Sequence, residues 1–341
     1  MDADPAAEPP KNRTPIRRIL SIDGGGINGT CPAAFLATLE EDTGQPIGRY
    51  FDLIAGTSTG GILAIGLAMG IPAKELLKLY VERGPYIFGQ SGERANSRTN
   101  RWRQTLRHLV KPKHDADALR AELESVLGTK RIGDAQRRLL IPAWDADHRS
   151  VYIYKTAHHW RLKTDYKKLA LDAAMATAAA PTYFRRHRTA DNVGLLDGGV
   201  WANNPIALAV VEAMALLDWR AEDLRILSLG CINEVYMLDD APGAISLGLD
   251  ALTLFMDGQS RGALGMAKLL TGHEYEREAI FRYCSDAPQG FFKLDDTRKI
   301  DRLAGMGASS ARKHRVAIEP VFLTEPAEPF EPVYKLPGDI P

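Results

Sequence analysis

The sequence predicts an α/β fold in which a largely parallel sheet is covered by helices on both faces. Short apolar runs that are typical of strands alternate with helical patterns along the 341 residues, and this alternation is typical of parallel sheets. Two of the strand-to-helix junctions are glycine-rich, at residues 23–29 and 56–61. Because 45% of the residues are apolar, the chain can bury a substantial core, and we expect one large domain.

The predicted elements follow in chain order. "IRRILSID" predicts a strand that ends at Asp23, and a glycine loop then leads into a helix from Thr30 to Glu41. "FDLIAG" and "GGILAIGLAMG" repeat the strand, loop and helix. Further strands are predicted in "RLLIPAW", "SVYIYK", "VGLLD", "LRILSLG" and "AIFRYC". Further helices are predicted in "AKELLKLYVER", "ADALRAELESVL", "ALAVVEAMALL", "AISLGLDALTLFMDGQSRGALGMAKLL" and "DDTRKIDRLAGMGASSARKH".

The two ends of the chain differ from the middle. Residues 1–15 are acidic and rich in proline, and we interpret them as a flexible tail. Residues 324–341 carry too many prolines for a packed helix, so we expect an extended or mobile C-terminal tail. The single domain is therefore placed at residues 16–323.

Charge and cysteine usage restrict the environment and the partners. The chain has 43 basic and 43 acidic residues, so no net charge favours a nucleic acid polymer. Its three cysteines, Cys31, Cys231 and Cys284, are far apart and odd in number, which favours a reducing compartment. The most apolar segment, residues 62–73, is too short to cross a bilayer. These features predict a cytoplasmic protein whose contact with a membrane is peripheral.

The motif "GTSTG" places Ser58 between two glycines. It fits the GxSxG nucleophile elbow, a tight turn from strand to helix that holds a serine exposed in a strained conformation. Gly56 and Gly60 stand where side chains would collide across such a turn, and the flanking strand and helix are the required context. The alternative is a glycine-rich turn with an incidental serine.

A second glycine loop, "DGGGINGT", supports two interpretations. The amides of Gly25 and Gly26 could converge on a developing oxyanion, as acyl transfer requires. The same loop matches GxGxxG at Gly24, Gly26 and Gly29, which is typical of dinucleotide-binding oxidoreductases.

The dinucleotide alternative requires an acidic residue about 20 residues further on, at the end of the second strand. Here Asp52 stands at the start of its strand and Asp42 lies in a helix. The loop therefore favours the oxyanion interpretation without deciding it.

A nucleophilic serine also needs a base. In the chain order serine, acid, histidine, only His273 and His314 follow the candidate acid, and both lie in charged stretches where we expect a solvated histidine. In "LLDGGVWANNP", an apolar strand ends at Asp197 and two glycines leave the carboxylate uncrowded. A carboxylate partly removed from water has a raised pKa and can accept a proton from serine. The alternative is an aspartate that only begins a turn.

The motifs "DGGGING", "GTSTG" and "DGG", in this order, resemble the patatin-like phospholipases, with support from "AAPTYF" and "VWANNP". The resemblance covers residues 17–230 and extends weakly to about 320. It implies a three-layer α/β/α fold and hydrolysis of acyl esters in membrane phospholipids. It also implies that Ser58 is the nucleophile, Asp197 the general base, and the amides of Gly24, Gly25 and Gly26 the oxyanion hole. No metal or organic cofactor is implied.

One residue departs from the pattern of that family. Many members have arginine where this loop has Asn28, so recognition of the lipid phosphate is placed in doubt. Two basic stretches could replace it at an anionic membrane, residues 94–113 and "YFRRHR" at residues 183–188. The alternative is that both are solvated surface segments.

Within the family, the compact layout is most similar to the phospholipase effectors of bacterial anti-phage (CBASS) systems. This resemblance implies an enzyme that is activated by a cyclic dinucleotide and then degrades the inner membrane. The ligand would need cations, and Arg261, Lys268 and the basic stretches are the candidates. A constitutive housekeeping acyl hydrolase and a non-catalytic lipid-binding module stay open, as does self-association into a homo-oligomer.

Overall fold

A computed structural model describes residues 15–87, 114–235, 244–275, 277–288 and 291–337. Residues 1–14 of the predicted N-terminal tail and the whole basic stretch 94–113 lie outside the described residues. The predictions made for them stay predictions.

Eight strands form one mixed sheet within the described residues. The strands are β1 (Arg17–Ile22), β2 (Leu53–Gly56), β3 (Arg138–Asp145), β4 (Ser150–Lys155), β5 (His187–Arg188), β6 (Gly194–Asp197), β7 (Leu224–Val235) and β8 (Ile280–Pro288). Their order is β5-β6-β3-β2-β1-β7-β8, and β4 pairs with β3. The pairs from β3 through β2, β1 and β7 to β8 are parallel, whereas β4, β5 and β6 pair antiparallel. The largely parallel sheet predicted from the sequence is confirmed.

The α-helices of the described residues are α1 (Thr30–Thr43), α2 (Thr59–Ala68), α3 (Ala73–Ile87), α4 (Ala116–Leu127), α5 (Ala170–Thr177), α6 (Gly199–Ala202), α7 (Ile206–Ala215), α8 (Ala244–Thr271) and α9 (Ile300–Phe322). The predicted helices are confirmed, although α9 begins five residues later than its predicted pattern and continues further. Helices α5 and α6 were not predicted from the sequence. All eight residues of α5 are buried, so it lacks the polar face on which a helical pattern depends.

Alternate residues of the central strands belong to two different hydrophobic clusters, which shows the three layers. Leu20 and Ile22 of β1 pack in the cluster that contains apolar residues of α1, α2, α3 and α9. Ile19 of the same strand packs with residues of α7 and α8 on the opposite face. Because successive side chains of a strand point to opposite faces, the sheet lies between two helical layers. The three-layer α/β/α architecture is therefore confirmed.

The parallel register brings the functional loops together. Ile22 at the end of β1 pairs with Gly56 at the end of β2 on one side and with Leu229 of β7 on the other. The two glycine loops that follow β1 and β2 therefore emerge next to each other at one edge of the sheet. The antiparallel pairing of β6 with β3 places Asp197 opposite Ala143, so the aspartate approaches the same edge from another strand.

The segment that follows α9 has no helix or strand within the described residues, and it packs against the domain. Arg137 donates to the carbonyl oxygen of Glu328 at 2.7 Å. The amide of Val333 donates to the carbonyl oxygen of Ala157 at 2.7 Å, and Leu336 is buried. Residues 323–337 are thus extended and anchored.

Candidate active site

Ser58 occupies a strained turn between strand β2 and helix α2. Its backbone has φ 55° and ψ −125°, a left-handed conformation that costs about 1–3 kcal/mol for a residue with a side chain. A side chain at Gly56 would collide with the carbonyl of Gly60, and one at Gly60 would collide with the carbonyl oxygens of Ile22 and Asp23. The two glycines are therefore required by close backbone contacts around the turn.

The Ser58 hydroxyl donates a hydrogen bond to Asp197. The distance between Ser58 Oγ and Asp197 Oδ2 is 2.6 Å, and both side chains are buried. The other carboxylate oxygen, Oδ1, accepts from the amide of Gly199 at 2.7 Å. A side chain at Gly198 would collide with the carbonyl of Pro142. The glycines after the aspartate thus permit the close approach that brings its carboxylate to the serine.

Burial raises the pKa of Asp197 from 3.8 to about 7, while the hydrogen bonds from Ser58 and Gly199 act in the opposite direction. Desolvation penalises the charged carboxylate, which explains the rise. A carboxyl group with a pKa near neutrality is a more effective proton acceptor than an ordinary aspartate. The site therefore contains a hydroxyl and a base in direct contact.

The first glycine loop lies beside the serine. A Cβ atom built at Gly24 would lie 3.1 Å from the Cβ atom of Ser58 and 2.5 Å from Asn203 Oδ1. The amide of Gly24 donates to the carbonyl oxygen of Asn203 at 3.0 Å, so it is already engaged. Among the described residues, the amides of Gly25 and Gly26 have no hydrogen-bond acceptor. These two amides remain available to a ligand.

Gly26 has φ 57°, and a side chain there would collide with the carbonyl of Leu294, which accepts from the amide of Ile27 at 2.8 Å. The loop is therefore held in one shape by the segment between β8 and α9. The sequence motif did not indicate this contact.

Further polar contacts, which were not predicted from the sequence, position the serine turn. The Ser58 amide donates to Thr177 Oγ1 at 3.0 Å, and this hydroxyl donates to the carbonyl oxygen of Pro142 at 2.7 Å. Thr57 Oγ1 donates to the carbonyl oxygen of Ala202 at 2.6 Å. Thr177 ends α5, the helix without a sequence signal, which explains why its role was not predicted.

Asp23, the first residue of the glycine loop, forms a buried ion pair with Arg282 of β8. The guanidinium contacts both carboxylate oxygens, at 3.2 Å and 2.5 Å, and also donates to Ser228 Oγ at 2.7 Å. Burial raises the pKa of Asp23, and the guanidinium counteracts this effect. The ion pair fixes the loop to strand β8.

Neither histidine that follows Asp197 in the chain contacts the serine. His273 Nδ1 accepts from the amides of Ala279 and Ile280 at 3.1 Å and 3.2 Å. His314 bonds to the carbonyl oxygen of Ser310 and packs against a tyrosine ring. The prediction that both are solvated is wrong for His273, which is buried because its ring nitrogen satisfies two backbone amides.

The acids that a dinucleotide-binding site would need are engaged elsewhere. Asp52 Oδ2 accepts from the amide of Arg18 at 2.8 Å, and its other oxygen pairs with Arg17 at 3.2 Å. Asp42 pairs with Arg315 at 3.1 Å. Within the part of the chain that the structure describes, no group of histidine, cysteine, aspartate or glutamate has the arrangement of a metal site.

The basic residues of "YFRRHR" are paired with acids from other elements. Arg185 pairs with Asp117, while Arg186 and Arg188 pair with Asp147. His187 of the same stretch lies 2.9 Å from an oxygen of Asp172. These pairs compensate only part of the positive charge, because Asp147 is shared by two arginines. The interpretation as a membrane-docking cluster stays a prediction.

A sheet between two helical layers, with a serine on a sharp strand-to-helix turn, is the architecture of the α/β serine hydrolase class. A sequence model described as patatin-like phospholipase matches residues 20–210, more than half of the chain. The chain belongs to the patatin-like phospholipase family.

Two similar bacterial proteins have the printed name cGAMP-activated phospholipase. The Pseudomonas aeruginosa protein is 37% identical over 220 residues, which are 64% of this chain and 63% of that protein, slightly under two thirds of its length. The Vibrio cholerae protein is 31% identical over 312 residues, which are 87% of this chain and 85% of that protein. The crystal structure of VipD from Legionella pneumophila is similar with a TM-score of 0.48 and 13% identity, covering 89% of this chain and 67% of that one.

Proposed function

We propose that this protein is a serine acyl hydrolase of the phospholipase A type, which cleaves fatty acyl esters of membrane phospholipids with a Ser58–Asp197 dyad. The observation that carries the proposal is the 2.6 Å hydrogen bond from the Ser58 hydroxyl to the buried Asp197 carboxylate. The strained turn at Ser58 and the membership of the patatin-like family support the same assignment.

In the first half of the reaction, Asp197 accepts the hydroxyl proton while Ser58 Oγ attacks the ester carbonyl carbon. The carbonyl oxygen becomes an oxyanion, and the amides of Gly25 and Gly26 donate to it. Each such donor is worth about 3 kcal/mol of transition-state stabilisation. The tetrahedral intermediate collapses, the bond to the leaving alcohol breaks, and the protonated Asp197 returns its proton to that alcohol.

In the second half, water attacks the acyl-enzyme with Asp197 again accepting a proton. The Ser58 ester bond breaks, the serine recovers its proton, and a free fatty acid leaves. Two features favour the nucleophile. Helix α2 begins at Thr59, so the positive end of its dipole faces the serine. The buried carboxylate has its pKa near 7, close to the pH at which a general base is most effective.

In this dyad, the carboxylate of Asp197 accepts the serine proton, as histidine does in other serine hydrolases. The Gly24 amide belongs to the scaffold in this proposal, because it is bonded to the carbonyl oxygen of Asn203. The oxyanion hole therefore consists of Gly25 and Gly26. Neither proton transfer nor acyl transfer by these groups requires a metal or an organic cofactor.

Contact with the membrane is peripheral in this proposal, at the cytoplasmic side of the inner membrane. No helix among the described residues has the length and apolarity needed to cross a bilayer. Phe255 and Leu269 on helix α8 are 70% and 72% exposed, and exposed large apolar side chains of this kind favour insertion at a lipid surface. The same helix contacts the residues that follow the catalytic aspartate, through Gln259 and Asn204.

The names of the two bacterial relatives support activation by a cyclic dinucleotide such as cGAMP. A role in anti-phage defence is part of this proposal, and it rests on the resemblance of the sequence motifs to the CBASS phospholipase effectors. Of the cations first considered for the ligand, Arg261 pairs with Asp257 and Lys268 pairs with Glu274. Because both cations are already paired with acids, neither is favoured as the residue that binds an anionic ligand.

The test measures fatty acid released from phospholipid vesicles, with and without a panel of cyclic dinucleotides that includes cGAMP. Ser58→Ala and Asp197→Ala should each abolish release. Ser125→Ala and Asp191→Ala, at exposed positions away from the site, are the matched controls and should retain it. Unchanged release by either dyad variant would disprove the dyad. Full release without any nucleotide would show a constitutive acyl hydrolase instead of a regulated one.

A further inference from the structure

A groove of about 600 Å³ lies between helix α9 and the end of strand β8, apart from the Ser58–Asp197 site. Its volume is within the range of small-molecule sites, about 300–1,000 Å³. The groove is lined by Cys284, Ser285, Asp286, Arg302, Gly305, Met306, Ser309, Ser310, Lys313 and His314. None of these residues has a role in the hydrolytic reaction described above.

One face of helix α9 forms the longer wall of the groove. Arg302, Gly305, Ser309 and Lys313 follow one another at intervals of three or four residues, so they lie on the same side of the helix. At 1.5 Å per residue, Arg302 and Lys313 are separated by about 16 Å along the helix axis. Gly305 and Ser309 lie between them, and their small side chains do not fill the groove. The groove is therefore elongated, with a cation at each end.

The cations of the groove are Arg302 and Lys313. Arg302 and Lys313 form no ion pair with any residue that the structure describes. Arg302 only approaches the ring of Phe291, 4.8 Å from its centroid. This contrasts with the paired arginines at positions 185, 186, 188 and 261.

The groove lining also contains one acidic residue, Asp286, whose Oδ1 accepts from the neutral amide Asn233 Nδ2 at 2.7 Å. Ser309 and Ser310 add hydroxyl donors. The lining therefore combines two cations with one carboxylate and with neutral hydrogen-bond donors. The cations and the donors are groups that bind phosphate oxygens.

Two contacts connect the groove to the glycine loop beside Ser58. Strand β8 contributes Ser285 to the groove and, three residues earlier, Arg282 to the ion pair with Asp23. On helix α9, a side chain at Gly307 would collide with the carbonyl of Cys31 in the first turn of α1, so the two helices touch through their backbones. A ligand that changes the spacing of β8 and α9 would act on both ends of the glycine loop.

We infer that the groove between β8 and α9 binds a phosphate-bearing ligand of nucleotide size, whose two phosphates contact Arg302 and Lys313, and that this ligand regulates the serine site. The inference rests on the proposed regulation by a cyclic dinucleotide and gives it a location. A cyclic dinucleotide carries two phosphodiesters, which matches an elongated groove with a cation at each end better than a single phosphate does. A phospholipid headgroup offers the same chemical group from another source.

The test is isothermal titration calorimetry of the full chain with cGAMP and related cyclic dinucleotides, with sn-glycero-3-phosphoglycerol as the headgroup probe and with inorganic phosphate. The variant R302Q/K313Q removes both cations. Its matched control, R312Q/K130Q, removes two exposed charges that do not line the groove. A second variant, Gly305→Leu, adds a side chain to the groove wall at a position where no atom lies within 4 Å of a Cβ atom. Gly262→Leu, at an equally open position on α8, is its control.

We expect the cyclic dinucleotide to bind at least tenfold more weakly to R302Q/K313Q and to Gly305→Leu, while both controls bind like the parent. These two variants should also lose stimulation by the nucleotide while retaining basal cleavage of a soluble acyl ester. The titrations are repeated with Ser58→Ala, so that a failure of the proposed catalysis does not affect the binding result.

Three other outcomes would overturn the inference in whole or in part. Cyclic dinucleotide binding that is unchanged in both groove variants would overturn it and leave the proposed activation in place. Binding of the headgroup probe alone, weakened by the groove variants, would support a phosphate site and overturn its nucleotide occupant. Absence of binding by all three probes would overturn the groove as a phosphate site.

Discussion

Replacing Asp197 by asparagine should abolish hydrolysis and at the same time stabilise the fold at alkaline pH. Burial raises the pKa of this carboxyl group from 3.8 to about 7. At 1.36 kcal/mol per pKa unit, keeping it ionised in the folded state costs about 4 kcal/mol above pH 7. An amide carries no charge and can keep both neighbours, since its oxygen can accept from Gly199 and its nitrogen can donate to Ser58 Oγ.

The sign of the pH dependence follows from the raised pKa. Below pH 3.8 the carboxyl group is protonated in the folded and the unfolded chain, so it imposes no cost. As the pH rises towards 7, the unfolded chain loses the proton before the folded chain does, and the parent protein loses stability. The stability gained by Asp197→Asn should therefore grow by about 1.4 kcal/mol per pH unit and level off above pH 7.

The assay is urea unfolding of the parent and of Asp197→Asn at pH 5, 6, 7 and 8, with free energies from linear extrapolation. Asp191→Asn, at an exposed position, should give a difference from the parent that stays flat over this range. A difference for Asp197→Asn that is equally flat, or a loss of stability at pH 8, would refute the raised pKa. The assignment of Asp197 as a base poised near neutrality would then lose its physical basis.

Three further predictions concern the scaffold of the site. Gly60→Ala should disrupt the turn and abolish ester cleavage, because its Cβ would collide with two carbonyl oxygens. Its control is Gly258→Ala, at an open position on α8, which should raise the free energy of unfolding in urea by up to about 1 kcal/mol. Arg282→Gln should cost about 3–5 kcal/mol because it leaves a buried carboxylate unpaired, and adding Asp23→Asn should restore part of the melting temperature. Thr177→Val removes the acceptor of the Ser58 amide, so it should lower stability by about 1–3 kcal/mol and reduce turnover of a soluble ester.

The nucleophile was predictable because its chemistry restricts local sequence. Only glycine tolerates the backbone contacts at positions 56 and 60, so the requirement appears as a pattern around Ser58. The three-layer fold was predictable for a similar reason, since a sheet covered on both faces needs apolar strands that alternate with helices. The partnership of Ser58 with Asp197 needed the family resemblance, because a separation of 139 residues leaves no local trace.

What the sequence did not show depends on distant side chains. The charges of "YFRRHR" suggested a docking surface, and the fold brings Asp117 and Asp147 to its arginines. His273 stands among charged residues in the sequence, yet two backbone amides that are six and seven residues away hold its ring in a buried position. The engagement of the Gly24 amide by Asn203 likewise depends on how two loops meet. Composition and periodicity carry no information about such pairings.

The central claim is that Ser58 Oγ is the nucleophile that forms a covalent acyl-enzyme. The most direct measurement is mass spectrometry of the protein after reaction with a fluorophosphonate, which bonds irreversibly to an activated serine. We predict one adduct, located on the peptide that contains Ser58, with no adduct in Ser58→Ala and much slower labelling in Asp197→Asn. An adduct on another residue, or equal labelling of the Ser58→Ala variant, would contradict the account.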